Sequence, residues 1–381
     1  MTTGNDIVLL ESGTQYFPAL EVAIDGATRE IHLESYIFEN DDTGSRVASA
    51  LMRAARRGVA THLLLDGFGS RALAPEVVAD LRRSGVQVLF YRPELGRWRM
   101  RRHRLRRLHR KLAVMDGETA FVGGINIIDD MDTPGQIPPR YDYAVQMRGP
   151  LVAEIVCATK RLWGLVAWSQ LKRRNIPRQG IPACPPSTGE TRAFFLIRDN
   201  LRHRHDIEDA YLAAIAGAER EIVIANAYFL PGMRFRHALM AAAQRGVRVV
   251  LLLQGRVEYM LLHYASRALY GTLLDAGVEI HEYHHSFLHA KVAVVDGCWS
   301  TVGSSNIDPF SLLLAREANV VVEESAFAQE LRASLERAMN AGARRVMPLL
   351  WKRQPLHRRF FAWLSYGLVR LMMGMAGYAN D

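Results

Sequence analysis

A chain of 381 residues, 49% hydrophobic and 23% charged, can bury a large core and suits one bilobal unit or two domains. Its three cysteines, Cys157, Cys184 and Cys298, lie far apart with no CxxC pair, which argues against a disulfide framework or a cysteine zinc site and suits a reducing cytosol. The net charge of +9 points to anionic partners, either phospholipid head groups or nucleic acid, and MTTGNDIVLLESG at the start lacks the basic residues and apolar run of a signal peptide.

In chain order, IHLESYIF from residue 31 is strand-like, and VASALMRAARRG carries apolar residues at helical spacing up to a terminating Gly58. THLLLDG is a short apolar strand of the kind buried in a parallel or mixed sheet. After SGVQVLFY, nine Arg or Lys residues crowd between Arg97 and Lys111. KLAVMD and TAFVGG then form two β-prone runs joined by Asp116-Gly117, the signal for a hairpin. A stretch rich in Pro, Gly and basic residues, roughly 168–190, reads as a linker.

Beyond the linker the chain repeats itself. TREIHLE at 28–34 returns as EREIVIA at 219–225, and ALMRAARRGVATHLLLDG at 50–67 returns as ALMAAAQRGVRVVLLLQG at 238–255. SGVQVLFY is echoed by AGVEIHEY, and HRKLAVMDGETAFVGGIN at 109–126 by HAKVAVVDGCWSTVGSSN at 289–306. Four blocks in the same order point to duplication. The alternation of strands and helices within each copy argues for α/β layering.

The last block carries chemistry. Residues i and i+2 of a strand share a face, so His109 projects with Lys111 and His289 with Lys291. An imidazole beside an ammonium suits a phosphodiester, since one can attack or donate a proton while the other neutralises non-bridging oxygens. Asp116 and Asp296 have the opposite parity and are expected to fix the hairpins through hydrogen bonds rather than face the phosphate.

The pattern H-x-K-x4-D-x6-G-(G/S)-x-N, present twice and 180 residues apart, resembles the signature of the phospholipase D superfamily. The resemblance runs from about residue 5 to 345. It is strongest to the shorter bacterial cardiolipin synthases, in LLLDGFGS, LHRKLAVMDGETAFVGGINI, RYDYAVQMRGP and VGSSNIDPFSLLLAREANV. It implies an α/β protein of two homologous α/β/α sandwich halves with one active site at their interface. The expected division is 1–185 for the first half with its linker, 186–345 for the second, and 346–381 for a basic amphipathic tail. The motif's catalytic set would be His109, Lys111, Asp116, His289, Lys291 and Asp296. One histidine would form a phosphohistidine while the other protonates the leaving alcohol and activates the incoming one. His109 is the favoured nucleophile, with His289 left open. Asn126, Asn306 and Ser304 would help hold the phosphate. Asp142 in RYDYAV and Glu317 in REANVV are candidate carboxylates for orienting a histidine, or else ordinary structural acids. The first copy has Gly124 where the second has Ser304, so the halves are chemically unequal. No cofactor or metal is called for.

The implied reaction is phosphatidyl transfer from one phospholipid, phosphatidylglycerol first among them, to the glycerol hydroxyl of another. Hydrolysis of phospholipid or nucleic acid is the rival enzyme reading, and a non-catalytic membrane adaptor the rival of another class. In the tail, LHRRFFAWLSYGLVRLMMGMAGYA places Phe360, Trp363, Leu364, Leu368, Leu371, Met372 and Met375 at helical spacing. Arg370 in its middle would cost about 2.5–3.5 kcal/mol in a membrane span. The tail is therefore expected to lie in an anionic membrane surface, on the cytoplasmic face of a bacterial membrane, with packing on the body as the alternative. Nucleic acid leaves such a tail unexplained. Tyr36, Tyr228, Phe287 and Phe310 are candidates to line a lipid channel or to be core. Oligomeric state is open.

Overall fold

The computed structural model describes residues 1–92, 106–171, 185–199, 202–257, 260–308 and 315–375. Most of the arginine run, Cys184, Phe310 and most of the predicted linker therefore lie outside the described residues. The first half opens with β1 (Thr2–Glu11) and α1 (Ser12–Gly26), followed by β2 (Glu30–Ser35) and α2 (Asp42–Arg56). Asp41 caps α2 by accepting the Gly44 N–H at 2.7 Å, and Gly58 takes a positive φ just beyond its end. Val47, Leu51 and Ala54 of α2 are fully buried. There follow β3 (Ala60–Asp66), α3 (Pro75–Arg83), β4 (Gln87–Tyr91) and the short β5 (Arg107–Leu108). The hairpin of β6 (Lys111–Met115) and β7 (Thr119–Gly123) comes next, then β8 (Tyr143–Arg148) and α4 (Leu151–Ser169). Helix α4 thus runs into the first residues expected to be linker.

The second half repeats the order: β9 (Thr191–Arg198), α5 (Asp206–Gly217), β10 (Glu221–Asn226), α6 (Met233–Gln244), β11 (Arg248–Gln254), α7 (Met260–Asp275) and β12 (Glu279–Tyr283). The hairpin of β13 (Lys291–Val295) and β14 (Trp299–Gly303) leads to β15 (Ala315–Glu323) and α8 (Ser325–Gly342). β16 (Ala343–Arg345), α9 (Pro348–Lys352) and α10 (Leu356–Met375) close the described chain.

The strands form one path, β16-β12-β11-β10-β13-β14-β15-β9-β1-β8-β7-β6-β2-β3-β4, with β5 attached to β15. Read outward from the central β9–β1 pair, β15-β14-β13-β10-β11-β12 mirrors β8-β7-β6-β2-β3-β4. Within each half three strands run parallel and the rest antiparallel. The seam strands β1 and β9 sit outside the repeat blocks quoted above, which is why the sequence left them unread.

The halves share one core. Val114, Val122, Val145 and Leu151 of the first pack in the same cluster as Val292, Val302, Val320 and Leu331 of the second. Fully burying such side chains stabilises the fold by about 1.5–3 kcal/mol each. Polar bonds cross the same boundary: Tyr141 and Tyr143 reach the Ser334 hydroxyl of α8 at 2.9 and 2.7 Å.

The tail is a docked helix. Val369 of α10 clusters with Leu230, Ala265 and Leu269, and Ala362 is buried one turn pair earlier. Phe360, Trp363, Leu364, Leu368, Leu371 and Met372 face outward, Phe360 at 62% exposure. The packing on the body offered as the alternative is what one face of the helix does, while its apolar stripe stays uncovered. Among the described residues no helix is long and apolar enough to cross a membrane.

Candidate functional site

The two hairpins set the positions of the motif residues. Asp116 and Gly117 both take positive φ, 55° and 70°, and the Glu118 N–H closes onto the Met115 carbonyl at 3.0 Å. Asp296-Gly297 does the same with φ of 53° and 66°. This primed turn matches the right-handed twist of the flanking strands, which explains the Asp-Gly pair. The Asp116 carboxylate accepts backbone N–H bonds from Thr28, Arg29 and Glu30 at 2.8–2.9 Å. Asp296 accepts those of Glu219, Arg220 and Glu221, all at 2.8 Å. Burial opposes ionisation of each, but these three N–H groups together hold both carboxyls below their usual range. Both aspartates sit at the far ends of their strands from the histidines, tying each hairpin to the strand beside it.

At the other ends, the histidines meet carboxylates from the opposite half. His109 Nδ1 lies 3.0 Å from both oxygens of Glu317, on β15 of the second half. His289 Nδ1 lies 2.6 Å from Asp142, just before β8 of the first half. Both candidate acids thus meet a histidine, Glu317 from downstream of His109 in the chain and Asp142 from upstream of His289. The exchange follows from backbone pairing across the boundary. β5 lies parallel to the start of β15, and the His109 N–H donates to the Arg316 carbonyl at 3.0 Å. In the second copy the His289 N–H donates to the Tyr141 carbonyl at 2.8 Å. With the Glu317 carboxylate accepting at Nδ1 of His109, that nitrogen carries the proton and Nε2 is left as the reactive base; Nδ1 of His289 meets Lys291 Nζ at 2.8 Å as well as Asp142.

Lys111 Nζ donates to the His109 carbonyl at 2.7 Å, and Lys291 Nζ donates to the His289 carbonyl and stands 3.6 Å from Asp142. Both lysines, both acids, Asn126, Asn306 and Ser304 are buried, while each histidine keeps 14% of its side chain exposed. Asn126 accepts the Ile37 N–H at 3.3 Å. Burial lowers the His109 pKa, and it brings His289, with Lys291 beside it, down to about 3. Burial also lowers Lys111 to about 7. Burial works against Asp142 ionising, yet Lys291 and His289 outweigh it and hold its carboxyl low. Lys291 acts electrostatically on His109, and Lys111 on His289, so the two copies form one charge cluster.

The Gly124/Ser304 difference is a matched exchange of side chains. Ser304 Oγ donates to Glu317 Oε2 at 2.6 Å, and a Cβ on Gly124 would collide with Asp142 Oδ1. A longer acid is thus held by a serine in one copy, and a shorter acid fills the space of the missing side chain in the other.

Three further contributors carry no motif signal. The buried Asp66 accepts the Leu108 N–H at 2.7 Å and fixes the approach to His109. The Tyr36 ring packs edge-on to His109 at 4.9 Å, with Lys111 Nζ 5.5 Å from its centroid. Arg110 forms a buried two-bond pair with Glu34 at 2.8 and 2.7 Å. Comparison of the two repeat copies could have found that pair, since Ala290 and Ala225 occupy the corresponding positions. Of the other aromatic candidates, Phe287 lies 6.4 Å from His289 and Tyr228 is half-buried. Among the described residues no group of three or more His, Cys, Asp or Glu side chains could hold a metal ion.

A family profile described as "Cardiolipin synthase, PLD-like domain" matches residues 20–131 and 211–339, once in each half. Cardiolipin synthase B of Escherichia coli (strain K12) is 41% identical over 352 residues, covering 90% of this chain and 82% of that protein. Cardiolipin synthase 1 of Bacillus cereus is 28% identical over 334 residues, covering 86% and 65%. Among solved structures, phosphatidylserine synthase of Haemophilus influenzae Rd KW20 superposes with a TM-score of 0.69 at 14% identity, covering 98% of this chain and 95% of that one. At that identity the likeness concerns the fold.

Proposed function

The chain belongs to the cardiolipin synthases of the phospholipase D superfamily, and from that premise we propose that it transfers a phosphatidyl group from phosphatidylglycerol to the glycerol hydroxyl of a second phospholipid. The observation that carries the mechanism is the crossed pair, His109 on Glu317 and His289 on Asp142.

His109 is the nucleophile. Its Nδ1–H is held by both oxygens of Glu317, itself held by Ser304, so the positive charge that forms on the ring is stabilised as Nε2 attacks phosphorus. The phosphorus–oxygen bond to the leaving glycerol breaks, and that alkoxide takes a proton from His289 Nε2. The anionic phosphodiester favours the protonated ring when bound. His289 then removes the proton of the incoming hydroxyl, whose oxygen displaces His109 and restores both rings. Lys111 and Lys291, with Asn126 and Asn306, hold the non-bridging oxygens. Charge developing on these oxygens meets fixed ammonium groups in a water-poor site, where such interactions are strongest.

The uncovered stripe of α10, with exposed Arg359 and Arg370 on the same helix, supports a peripheral place on an anionic membrane. The cytoplasmic face of a bacterial membrane fits this reading. The test is incubation with phosphatidylglycerol in mixed micelles, without added metal, followed by mass spectrometry. Wild type is expected to form cardiolipin, and His109→Ala and His289→Ala are expected to form it at least about a hundredfold more slowly. Phosphatidic acid alone would make the protein a hydrolase. No lipid product would turn attention to single-stranded DNA.

A further inference from the structure

A cavity of about 850 Å³ lies outside the His109–His289 cluster, between α7, α9 and α10. Such a volume is ordinary for a small-molecule site. Its walls mix aromatic and cationic groups, among them Trp351, Trp363, Arg267, Lys352 and Arg359, with one carboxylate, that of Asp275. Two of the cations are committed: Arg267 pairs with Glu282 at 3.3 Å and Lys352 with Asp275 at 2.7 Å. Among the described residues Arg359 makes no ion pair. The cavity also borders the uncovered stripe of α10, since Trp363 belongs to both and is 55% exposed. A ligand held here would therefore meet positive charge and aromatic faces at one end and an apolar surface at the other.

We propose that this cavity binds the head group of one anionic phospholipid, with its phosphate on Arg359, its glycerol against Trp351 and Trp363, and its acyl chains along Phe360 and Leu364. Charge complementarity selects the anionic lipid, and the continuous apolar surface selects a lipid over free phosphate. The choice of phospholipid rests on the reading of the protein as a lipid enzyme. The site itself is separate from the histidine cluster, and the first half offers no counterpart because α9 and α10 follow the second half alone. It would hold a lipid as an anchor while the histidines process others.

The test uses the full chain with vesicles of phosphatidylcholine containing a small, equal fraction of either phosphatidylglycerol or phosphatidylcholine with brominated acyl chains. Bromine quenches nearby tryptophans, so head-group selection appears as greater quenching by the brominated anionic lipid at saturating vesicle concentration. Wild type is expected to show that excess. Arg359→Ala is expected to lose it, whereas Arg370→Ala, which removes the same charge from outside the cavity, keeps it. Each variant also weakens vesicle partition by about fivefold, the effect of one surface charge, and saturation removes that common loss. Equal quenching by the two lipids in wild type would overturn the proposal, as would equal loss in the two variants. Abolition of the excess by inorganic phosphate would also overturn it, by making the site one for free phosphate. Cardiolipin formation in micelles is measured separately: its presence without selective quenching sinks this site alone, and selective quenching without it sinks only the synthase reading.

Discussion

The two halves carry the same strand order and the same hairpin, yet they differ at the positions nearest their histidines. In the first, a buried Arg110–Glu34 pair lies beneath the motif, Asp66 holds the backbone before His109, and Tyr36 covers the imidazole. In the second, Ala290 and Ala225 fill the first two positions, and Gln254 and Ala227 stand where Asp66 and Tyr36 do. The duplicated scaffold is thus kept by its hydrophobic pattern and turn chemistry, while its polar layer has diverged. The lesson is that the symmetric part builds a frame, and the asymmetric part gives two chemically identical side chains different surroundings.

The largest effect should come from the histidines, and it would sharpen the contrast between them. Removing a side chain that moves a proton in the transition state costs about 10²–10⁴-fold in rate. His289→Ala should lose activity on that scale but still accept a phosphatidyl group, which mass spectrometry would find on the peptide holding His109. His109→Ala should show no adduct at His289. An adduct at His289 would reverse the assigned roles.

A second substitution converts the first half's polar layer toward that of the second. Arg110→Ala alone leaves Glu34 buried and unpaired, at a cost of about 3–5 kcal/mol in unfolding free energy. Adding Glu34→Ala should recover most of that loss, because the second half shows that two alanines fit this place. Urea unfolding of the single and double variants measures both. A double variant no more stable than the single would show that the pair does more than replace apolar packing.

Ser304→Ala tests the asymmetry of the acids. It removes one hydrogen bond to the Glu317 carboxylate, worth about 1.5–3 kcal/mol when a charged group is involved. A loss of tenfold or more in kcat with little change in KM is expected. Unchanged kcat would show that Glu317 needs no holding.

A smaller effect concerns pH. Burial lowers Lys111 to about 7, so in the free enzyme the ammonium is lost as pH rises through that value. Phosphate binding needs the charged form, and kcat/KM, which reports the free enzyme, should fall on the alkaline side of pH 7. Lys111→Arg stays charged throughout and should flatten that limb, whatever its absolute rate. A limb unmoved in this variant would assign the titration to another group.

Much of the frame was legible because duplication prints the same pattern twice, and Asp116-Gly117 and Asp296-Gly297 announce their turns by backbone preference. The parity argument that turned both aspartates away from the histidines also rests on local geometry alone. The crossed partnership of Glu317 and Asp142 was not legible, because it depends on which strand of one half lies beside the loop of the other. Nothing local encodes that choice. The face by which α10 docks on α7 escaped for a related reason: Ala362 and Val369 are small or ordinary apolar residues, and the large side chains that dominate the helical pattern are the ones left outside. Arg110 went unread because a single arginine in a basic stretch looks like surface charge until its buried partner is placed.

The most direct test of a single site built by exchange between halves is nuclear magnetic resonance of the protein labelled in its histidine rings, comparing wild type with Glu317→Gln and Asp142→Asn. Glu317→Gln should shift the ring-nitrogen signals of His109 and leave those of His289 nearly in place, and Asp142→Asn should do the reverse. If each acid instead moved the histidine of its own half, the crossed arrangement would be contradicted.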